Sequence, residues 1–271
     1  MLKKIIIIGL CTIILILVYG TIENTLIVKT ELSINGKLKD VLTNKVVIHL
    51  SDLHIGSIGR KEKDLLKRID NIQPDIIFLT GDYVKLSGDY EPAMKFLSKL
   101  EAEIGIWAVM GDYDYSNNRK SCLFCHDSSS GSKAQVNKVK FLKNTGEIIQ
   151  VNGKKIQIFG IDEINLKNKK IKGIVSKLDY SLPLIVLSHN PLNFNLFDNY
   201  QEVLMLAGDT HGGQLPLPSW LWGILGYEKN KQYNYGLFRD KSKQMFVTRG
   251  IGTSHFPVRF FCPPEIVVFK F

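Results

Sequence analysis

The sequence predicts an α/β protein with one sizeable domain behind an apolar N-terminal segment. Three observations support this. The chain has 271 residues, 45% of them hydrophobic, which is enough for one core and does not demand a second domain. From residue 45 onward, short β-branched runs alternate with amphipathic stretches, as expected for strands that cross over through helices. Polar clusters directly follow several of the apolar runs.

The N-terminal segment has the composition of a membrane span. Lys3 and Lys4 precede an uncharged apolar run at 5–19 that extends to 22, about the length a bilayer core requires. A cleaved signal peptide is the alternative, but no A-x-A-like site follows Tyr19. We therefore predict a transmembrane signal anchor at 1–22. By the positive-inside rule the two lysines stay cytoplasmic, which predicts a single-pass cell-membrane protein with an extracytoplasmic domain.

The remaining elements are predicted in order along the chain. Residues 23–44 form a connecting segment with a first strand, and residues 45–271 form the main domain. Apolar β-branched runs predict buried strands at 46–50, 76–80, 106–110, 155–159, 184–187 and 203–206. Apolar residues spaced by about 3.6 predict helices at 60–71, 91–100, 135–143 and 167–178. The chain is expected to end in a hairpin, 233–238 and 245–248 around 239–242, and a last strand at 266–271.

A polar insertion is predicted at 116–133, where Ser and Asn are frequent. It contains Cys122, Cys125 and His126 in the C-x-x-C-H spacing of haem attachment. Few apolar neighbours are available there to enclose a porphyrin, so haem is not the expected cofactor. A Cys122–Cys125 disulfide, a loop-closing metal and free thiols stay open.

Carboxylates and histidines cluster after five of the predicted strands. Because ligands collect at the carboxyl ends of strands in α/β sheets, these clusters should meet in one crevice. Carboxylates and imidazoles together are ligands for divalent metals, and a bridging carboxylate can hold two ions. Glycines beside them should let the backbone turn sharply. The clusters are Asp52-Leu53-His54, Gly81-Asp82, Gly111-Asp112-Tyr113-Asp114, Ser188-His189-Asn190 and Gly208-Asp209-Thr210-His211-Gly212-Gly213-Gln214.

The order of these clusters resembles a known family. Over residues 46–271 the order of motifs is similar to that of the calcineurin-like metallophosphoesterases, which is D-x-H, G-D, G-N-H-[DE], an isolated His and G-H-x-H. The tail at 250–253, 257–260 and 262–265 resembles a membrane-associated bacterial branch, which includes phosphodiesterases and UDP-diacylglucosamine pyrophosphatases. The resemblance implies a four-layer α-β-β-α sandwich of two mixed sheets.

The resemblance also implies roles for single residues. Asp52, His54 and His211 would bind a first metal, Asp82 would bridge, and His189 would bind a second. Three positions depart from the family pattern. Asp112 replaces an Asn ligand, Asp209 replaces the first histidine of G-H-x-H, and Tyr113 replaces the catalytic histidine. Asp112 and Tyr113 are thus the candidate catalytic residues, and Asp112 and Asp209 are candidate metal ligands.

The departures alter the expected chemistry. In the family pattern, two divalent ions and two carboxylates give the centre a net charge of 4 − 2 = +2. With the four carboxylates of this chain the net charge would be 4 − 4 = 0. A neutral centre attracts phosphate less and lowers the pKa of a bound water less. An oxygen-rich second site should favour Mn, Mg or Fe over Zn. Tyrosine, with a reference pKa of about 10, donates protons less readily than imidazole. The loss of hydrolysis rate should be smallest for substrates whose leaving oxygen is already a weak base.

Together these features predict a metal-dependent hydrolase of a phosphodiester or pyrophosphate, from a membrane lipid or cell-envelope precursor. The alternative is an attenuated or inactive homologue that binds metal or phospholipid without efficient turnover. The net charge of +9 favours phosphates or an anionic membrane. The densest basic stretch, with Lys167, Lys169, Lys170 and Lys172, lacks interleaved aromatics, so nucleic acid is not an expected partner. An apolar stretch at 215–227, with Trp220 and Trp222, could receive a lipid.

Overall fold

Two six-stranded mixed sheets form the centre of the protein in a computed structural model, which describes residues 2–85, 90–115, 138–162, 168–179, 181–197, 202–254 and 256–271. The strands are β1 (Val28–Ser33), β2 (Val47–Leu50), β3 (Ile76–Thr80), β4 (Gly105–Val109), β5 (Val139–Phe141), β6 (Thr145–Val151), β7 (Lys154–Ile161), β8 (Leu184–Ser188), β9 (Val203–Ala207), β10 (Gly236–Asp240), β11 (Lys243–Val247) and β12 (Glu265–Lys270). The helices are α1 (Leu2–Glu23), α2 (Lys37–Leu42), α3 (Arg60–Ile72), α4 (Glu91–Leu97), α5 (Asn168–Val175), α6 (Ser219–Ile224) and α7 (Glu228–Gln232).

Each sheet combines parallel and antiparallel strands. The first has the order β1-β12-β2-β3-β4-β5, in which only the β12–β2 pair is antiparallel. The second has the order β10-β11-β9-β8-β7-β6, with antiparallel pairs at its two edges. In both sheets the central strands are parallel, so their carboxyl ends lie along the same edge.

Three apolar layers show how the sheets and helices stack. Residues from the facing sides of both sheets, such as Phe78, Trp107 and Ile185, form the core between them. The outer face of the first sheet packs on α3 and α4, and that of the second packs on α5 and the 3₁₀ turn Pro191–Phe197. The central strands are buried on both faces, which explains why they read as continuous apolar runs. The predicted four-layer α-β-β-α sandwich is confirmed.

Helix α1 lies apart from these layers. Its segment Lys3–Glu23 is long and apolar enough to cross a membrane, as judged by length and composition. Side chains from Lys3 to Tyr19 are exposed, and only Gly20 and Glu23 near the end of the helix are buried. The predicted anchor therefore corresponds to a helix that makes few contacts with its own domain.

Some local predictions need correction. The helix expected at 135–143 is wrong over 138–143, where β5 adds to the edge of the first sheet by pairing Val139 with Ile106. The strand β6 was not expected, although Asn152 and Gly153, with φ of 50° and 76°, form the tight turn that Asn-Gly favours between β6 and β7. The C-terminal hairpin is confirmed, with strands β10 and β11 and a shorter turn.

The polar insertion at 116–133 lies outside the described residues. The same holds for Cys122, Cys125 and His126, so their predicted alternatives stay predictions. Of the cysteines in the described ranges, Cys11 is exposed on α1 and Cys262 is buried, and both are free thiols.

Candidate metal centre

The ends of five strands bring the predicted site residues to one edge of the sandwich. Strands β2, β3 and β4 of the first sheet end just before Asp52, Asp82 and Asp112. Strands β8 and β9 of the second sheet end just before His189 and Asp209. Two sheets thus contribute to one site, which requires the face-to-face packing described above.

The backbone at these strand ends adopts a conformation that non-glycine residues rarely take. Left-handed φ values occur at 52° in Asp52, 44° in His54, 56° in Asp82, 72° in Asp209 and 53° in His211. Such residues cost of order 1–3 kcal/mol each and cluster at functional sites, where the surrounding structure holds them. The concentration of this strain in the predicted ligands indicates that the fold positions these side chains for a purpose other than stability.

One group of candidate ligands consists of Asp52, His54 and His211, all buried, with donor atoms within 4.8 Å of one another. Nε2 of His54 lies 3.2 Å from Nε2 of His211, which in turn lies 3.5 Å from Oδ1 of Asp52. Nδ1 of His211 is buried without a hydrogen-bond partner. Two ligands of a tetrahedral ion with bonds of about 2.1 Å stand about 3.4 Å apart, so the donor set and its spacing fit a divalent metal.

The second group consists of Asp52, Asp82 and His189, also buried. The Nδ1–H of His189 donates to the carbonyl of Thr80 at 2.8 Å, which fixes the ring with Nε2 toward the carboxylates. That Nε2 is buried and without a hydrogen-bond partner, 3.5 Å from Oδ2 of Asp82. The same Oδ2 lies 3.6 Å from Nε2 of His54. Asp82 therefore stands between the two groups, as a bridging ligand would.

The ionisation of these side chains reflects buried charges in close contact. Burial raises the pKa of Asp52 to about 7, and the neighbouring Asp82 and Asp209 act in the same direction. Although burial disfavours its charged form, the carboxylates of Asp82 and Asp209 raise the pKa of His189 well above its usual value. Burial lowers the pKa of both His54 and His211. The histidines of the first group are thus neutral, the form that binds metal.

The three residues that depart from the family pattern surround this cluster. Asp112 and Asp209 belong to neither group of close donor atoms, but both line the adjoining cavity. Burial, and then the charge of Asp82, raises the pKa of Asp112. The backbone N–H of Tyr113 donates to Oδ1 of Asp82 at 3.0 Å, and its ring meets that of His54 edge-on at 4.9 Å. Tyr113 also lines the cavity.

Two residues near the site were missed by sequence reasoning. Lys229 on α7 forms an ion pair with Oδ2 of Asp209 and lines the cavity. Nothing in the local pattern around Lys229 distinguishes it from the other lysines. Asp114 is fully buried, and its carboxylate accepts four backbone N–H groups, from Asp82, Tyr83, Val84 and Gly111. Asp114 ends the cluster Gly111-Asp112-Tyr113-Asp114, at the [DE] position of the family pattern G-N-H-[DE], and this position was the signal in the sequence.

The neighbouring glycines act in two different ways. Gly81, Gly212 and Gly213 have positive φ values of 94°, 60° and 79°, as the predicted sharp turns require. Gly111 and Gly208 do not have positive φ and are needed for space. A Cβ at Gly111 would lie 2.0 Å from Oδ1 of Asp82, and one at Gly208 would lie 2.5 Å from Oδ2 of Asp52.

A cavity of about 710 Å³ adjoins the cluster. One part of its wall is polar and includes Asp82, Asp112, Asp209 and His211. The other part is apolar and is formed by Leu192, Leu215, Trp222, Tyr227, Phe256 and Val258. A volume of this size accommodates a small-molecule ligand with both polar and apolar portions.

A family model and several known proteins match this sequence. The family model described as calcineurin-like phosphoesterase matches residues 45–213. An uncharacterized metallophosphoesterase of Bacillus subtilis is 29% identical over 82% of this chain and 77% of its own length. A UDP-2,3-diacylglucosamine pyrophosphatase of Chlamydia trachomatis is 25% identical over 83% of this chain and 82% of its own. Among solved structures, the alignment with a phosphopantetheinyl hydrolase of Mycobacterium tuberculosis covers 79% of this chain and 94% of that chain, with 12% identity and a TM-score of 0.47.

Proposed function

Because this chain belongs to the calcineurin-like phosphoesterase family, we propose that it is a metal-dependent hydrolase of a phosphodiester or pyrophosphate from a membrane lipid or cell-envelope precursor. The observation that carries the proposal is the cavity beside the carboxylate–histidine cluster, whose wall is polar at the cluster and apolar elsewhere. An amphiphile has the same division between a phosphate and an apolar part. Similarity to a UDP-2,3-diacylglucosamine pyrophosphatase supports the same substrate class.

In this proposal Asp52, His54 and His211 would hold one divalent ion, while Asp82 and His189 would hold the other together with Asp112 and Asp209. When bound, such ions polarise a phosphoryl group and activate water. Asp82, whose Oδ2 lies near both His54 and His189, would be the ligand shared by the two ions. Tyr113, next to His54 and on the cavity wall, donates a proton to the departing oxygen. A tyrosine hydroxyl is a weak acid, so pyrophosphates and activated diesters are the preferred substrates over alkyl monoesters.

The second site should prefer Mn, Mg or Fe over Zn, because Asp82, Asp112 and Asp209 supply hard oxygen ligands. Elemental analysis of the full chain purified in a mixture of these metals tests the preference. Stoichiometric zinc would refute it.

The proposed location follows from α1. Lys3 and Lys4 stay cytoplasmic, α1 spans the membrane, and the domain from 45 to 271 lies outside the cytoplasm. Protease treatment of intact spheroplasts tests the orientation. Digestion of the domain without lysis is expected, and complete protection would reverse the assignment.

A second candidate function is phospholipid or metal binding without efficient turnover. The ion pair between Lys229 and Asp209 favours it, since a lysine ammonium occupies one oxygen of a proposed metal ligand. The two functions differ in a simple assay.

Hydrolysis of bis-p-nitrophenyl phosphate by the full chain with added Mn²⁺ is the deciding experiment. A hydrolase is expected to lose at least about 100-fold of its rate on Asp82→Ala, because the bridging carboxylate is removed. Asp64→Ala, which removes a carboxylate exposed on α3, serves as the matched control and should leave the rate unchanged. Mn²⁺ binding without hydrolysis in the wild type would support the binding function instead.

A further inference from the structure

The end of α1 is fixed to the domain by specific contacts. The carboxylate of Glu23 accepts the backbone N–H groups of Phe261 and Cys262 at 2.9 and 2.5 Å. The N–H of Arg259 donates to the carbonyl of Gly20 at 3.0 Å. The ring of Tyr19 lies 5.9 Å from that of Phe261. These contacts set the direction in which the apolar part of the helix leaves the domain.

The length of α1 defines where a bilayer would end. Its 22 residues span about 33 Å, close to the hydrocarbon thickness of about 30 Å. The apolar side chains from Ile5 to Tyr19 are exposed to whatever surrounds the protein, which strongly favours a hydrocarbon environment. The bilayer surface nearest the domain therefore lies close to Tyr19. The loop at 256–262, which contacts the end of α1, lies close to the same surface.

The same loop forms part of the cavity wall. The side-chain Nε2 of Gln214 donates to the backbone carbonyls of Phe256 and Val258, each at 3.2 Å. The backbone carbonyl of Gln214 accepts the N–H of Phe260 at 2.9 Å. Gln214, Phe256 and Val258 all line the cavity, and Gln214 follows the candidate ligand His211 by three residues. A single loop therefore separates the membrane helix from the candidate metal centre.

Large apolar side chains are exposed on the two segments, 219–227 and 256–262, that contribute residues to the cavity wall. Phe261 is 79% exposed beside the end of α1, and Trp220 and Ile224 on α6 are 63% and 73% exposed. Exposed apolar groups of this kind mark protein or membrane contact surfaces. We call the set the rim, and it consists of Trp220, Ile224, Leu225, Tyr227, Phe256 and Phe261. Tyr227 and Phe256 line the cavity itself, so the rim is continuous with it.

We propose that the rim is a membrane-docking surface, seated in the interfacial layer of the same bilayer that α1 spans. The rim starts where α1 leaves the bilayer, and its aromatic and aliphatic side chains are those that settle at the boundary of headgroups and acyl chains. The cavity then opens toward the lipid, so that a phosphate group reaches the carboxylate–histidine cluster while acyl chains stay in the bilayer. This substrate route rests on the proposed function, whereas the docking of the rim does not.

Trp220 offers a direct test in the full chain. The three tryptophans are Trp107 and Trp222, both buried, and Trp220. With the protein in vesicles of phosphatidylcholine brominated close to the headgroup, Trp220 emission should fall by at least half relative to ordinary vesicles. The emission that remains in Trp220→Phe should change little. Equal emission of the Trp220 component in both vesicles would overturn the proposal, whether or not the protein hydrolyses anything.

A second measurement follows the substrate route. In Ile224→Ser/Phe261→Ser, hydrolysis of a vesicle-embedded lipid pyrophosphate should fall about tenfold, while soluble bis-p-nitrophenyl phosphate is hydrolysed as before. Ile148→Ser, which alters an exposed apolar residue on β6, is the matched control. Unchanged hydrolysis of the lipid by the double variant would overturn the route. Loss of both activities would also contradict it, because the rim would then act on the chemistry itself.

Discussion

Lys229 and Asp209 form an ion pair inside the cavity, with the ammonium on Oδ2 of Asp209 while Oδ1 lies 3.9 Å from Nε2 of His189. This pair revises the charge expected from sequence. Two divalent ions would balance the four carboxylates of Asp52, Asp82, Asp112 and Asp209, and the ammonium would then bring the net charge from zero to +1. Lys229 thus restores part of the positive charge that the extra carboxylates remove.

Substitution of Lys229 should strengthen the binding of Mn²⁺. In Lys229→Met, Asp209 loses its competing cation, and the repulsion between ammonium and metal disappears. We expect the weaker of the Mn²⁺ dissociation constants, measured by calorimetry on the full chain, to fall about tenfold. Lys231→Met, on the same helix but exposed, is the matched control. An unchanged constant in Lys229→Met would contradict the competition.

Substitution of Tyr113 by histidine should rescue poor substrates. An imidazole beside His54 would donate a proton more readily near neutral pH, so hydrolysis of an alkyl phosphodiester should rise about 100-fold. Bis-p-nitrophenyl phosphate has a better leaving group and should gain less. The ratio of the two rates is the measurement, and Tyr113→Phe is the control for loss of the hydroxyl. A uniform decrease with both substrates in the histidine variant would argue against a proton-donor position.

Asp114 should matter for stability. Its carboxylate accepts four backbone N–H groups on the loops that carry Asp82 and Asp112, and an amide at this place would turn an N–H₂ group toward them. We expect Asp114→Asn to lower the free energy of unfolding by about 3 kcal/mol. The comparison is thermal unfolding in detergent against Asp64→Asn, an exposed carboxylate on α3. Equal midpoints would show that the network is dispensable.

Lys61 should make stability depend on pH. Burial, and then the charge of Arg259, lowers the pKa of Lys61 to about 7, whereas the unfolded chain keeps the usual value of about 10.4. Between these two pKa values the unfolded state binds more protons than the folded state, so the free energy of unfolding rises with pH. This contribution is fully present above about pH 10.4, is lost as pH falls from about 10.4 to about 7, and changes no further below that.

The measurement is the difference in unfolding midpoint between Lys61→Met and the wild type from pH 6.5 to 9. Methionine has no proton to release, so the midpoint of the variant relative to the wild type should fall as pH rises. Parallel curves would exclude the shift. Lys63→Met, an exposed lysine on the same helix, is the control.

Much of the fold followed from local patterns. Strands β2, β3, β8 and β9 are covered on both faces, so their consecutive residues are mostly apolar. A continuous apolar run of this kind can be recognised in the sequence. The edge strands β5 and β6 were missed because an edge strand is only partly buried and its pattern is weak. Trp220 and Trp222 read alike in sequence, yet one is exposed on the rim and the other is buried beside Gly213.

The sequence by itself determined the α/β class, the apolar helix at the N-terminus and the order of carboxylates and histidines after the strands. The periodicity of apolar residues and the position of polar residues after a strand are local properties of the sequence. They can be recognised without knowing which elements pack against each other. Only the tertiary structure decided that Asp82 lies between two histidine groups, that Lys229 pairs with Asp209, and that α1 ends on the loop bordering the cavity. These relationships join residues 20 to 238 positions apart, and they arise from the packing of two sheets against each other rather than from any local pattern.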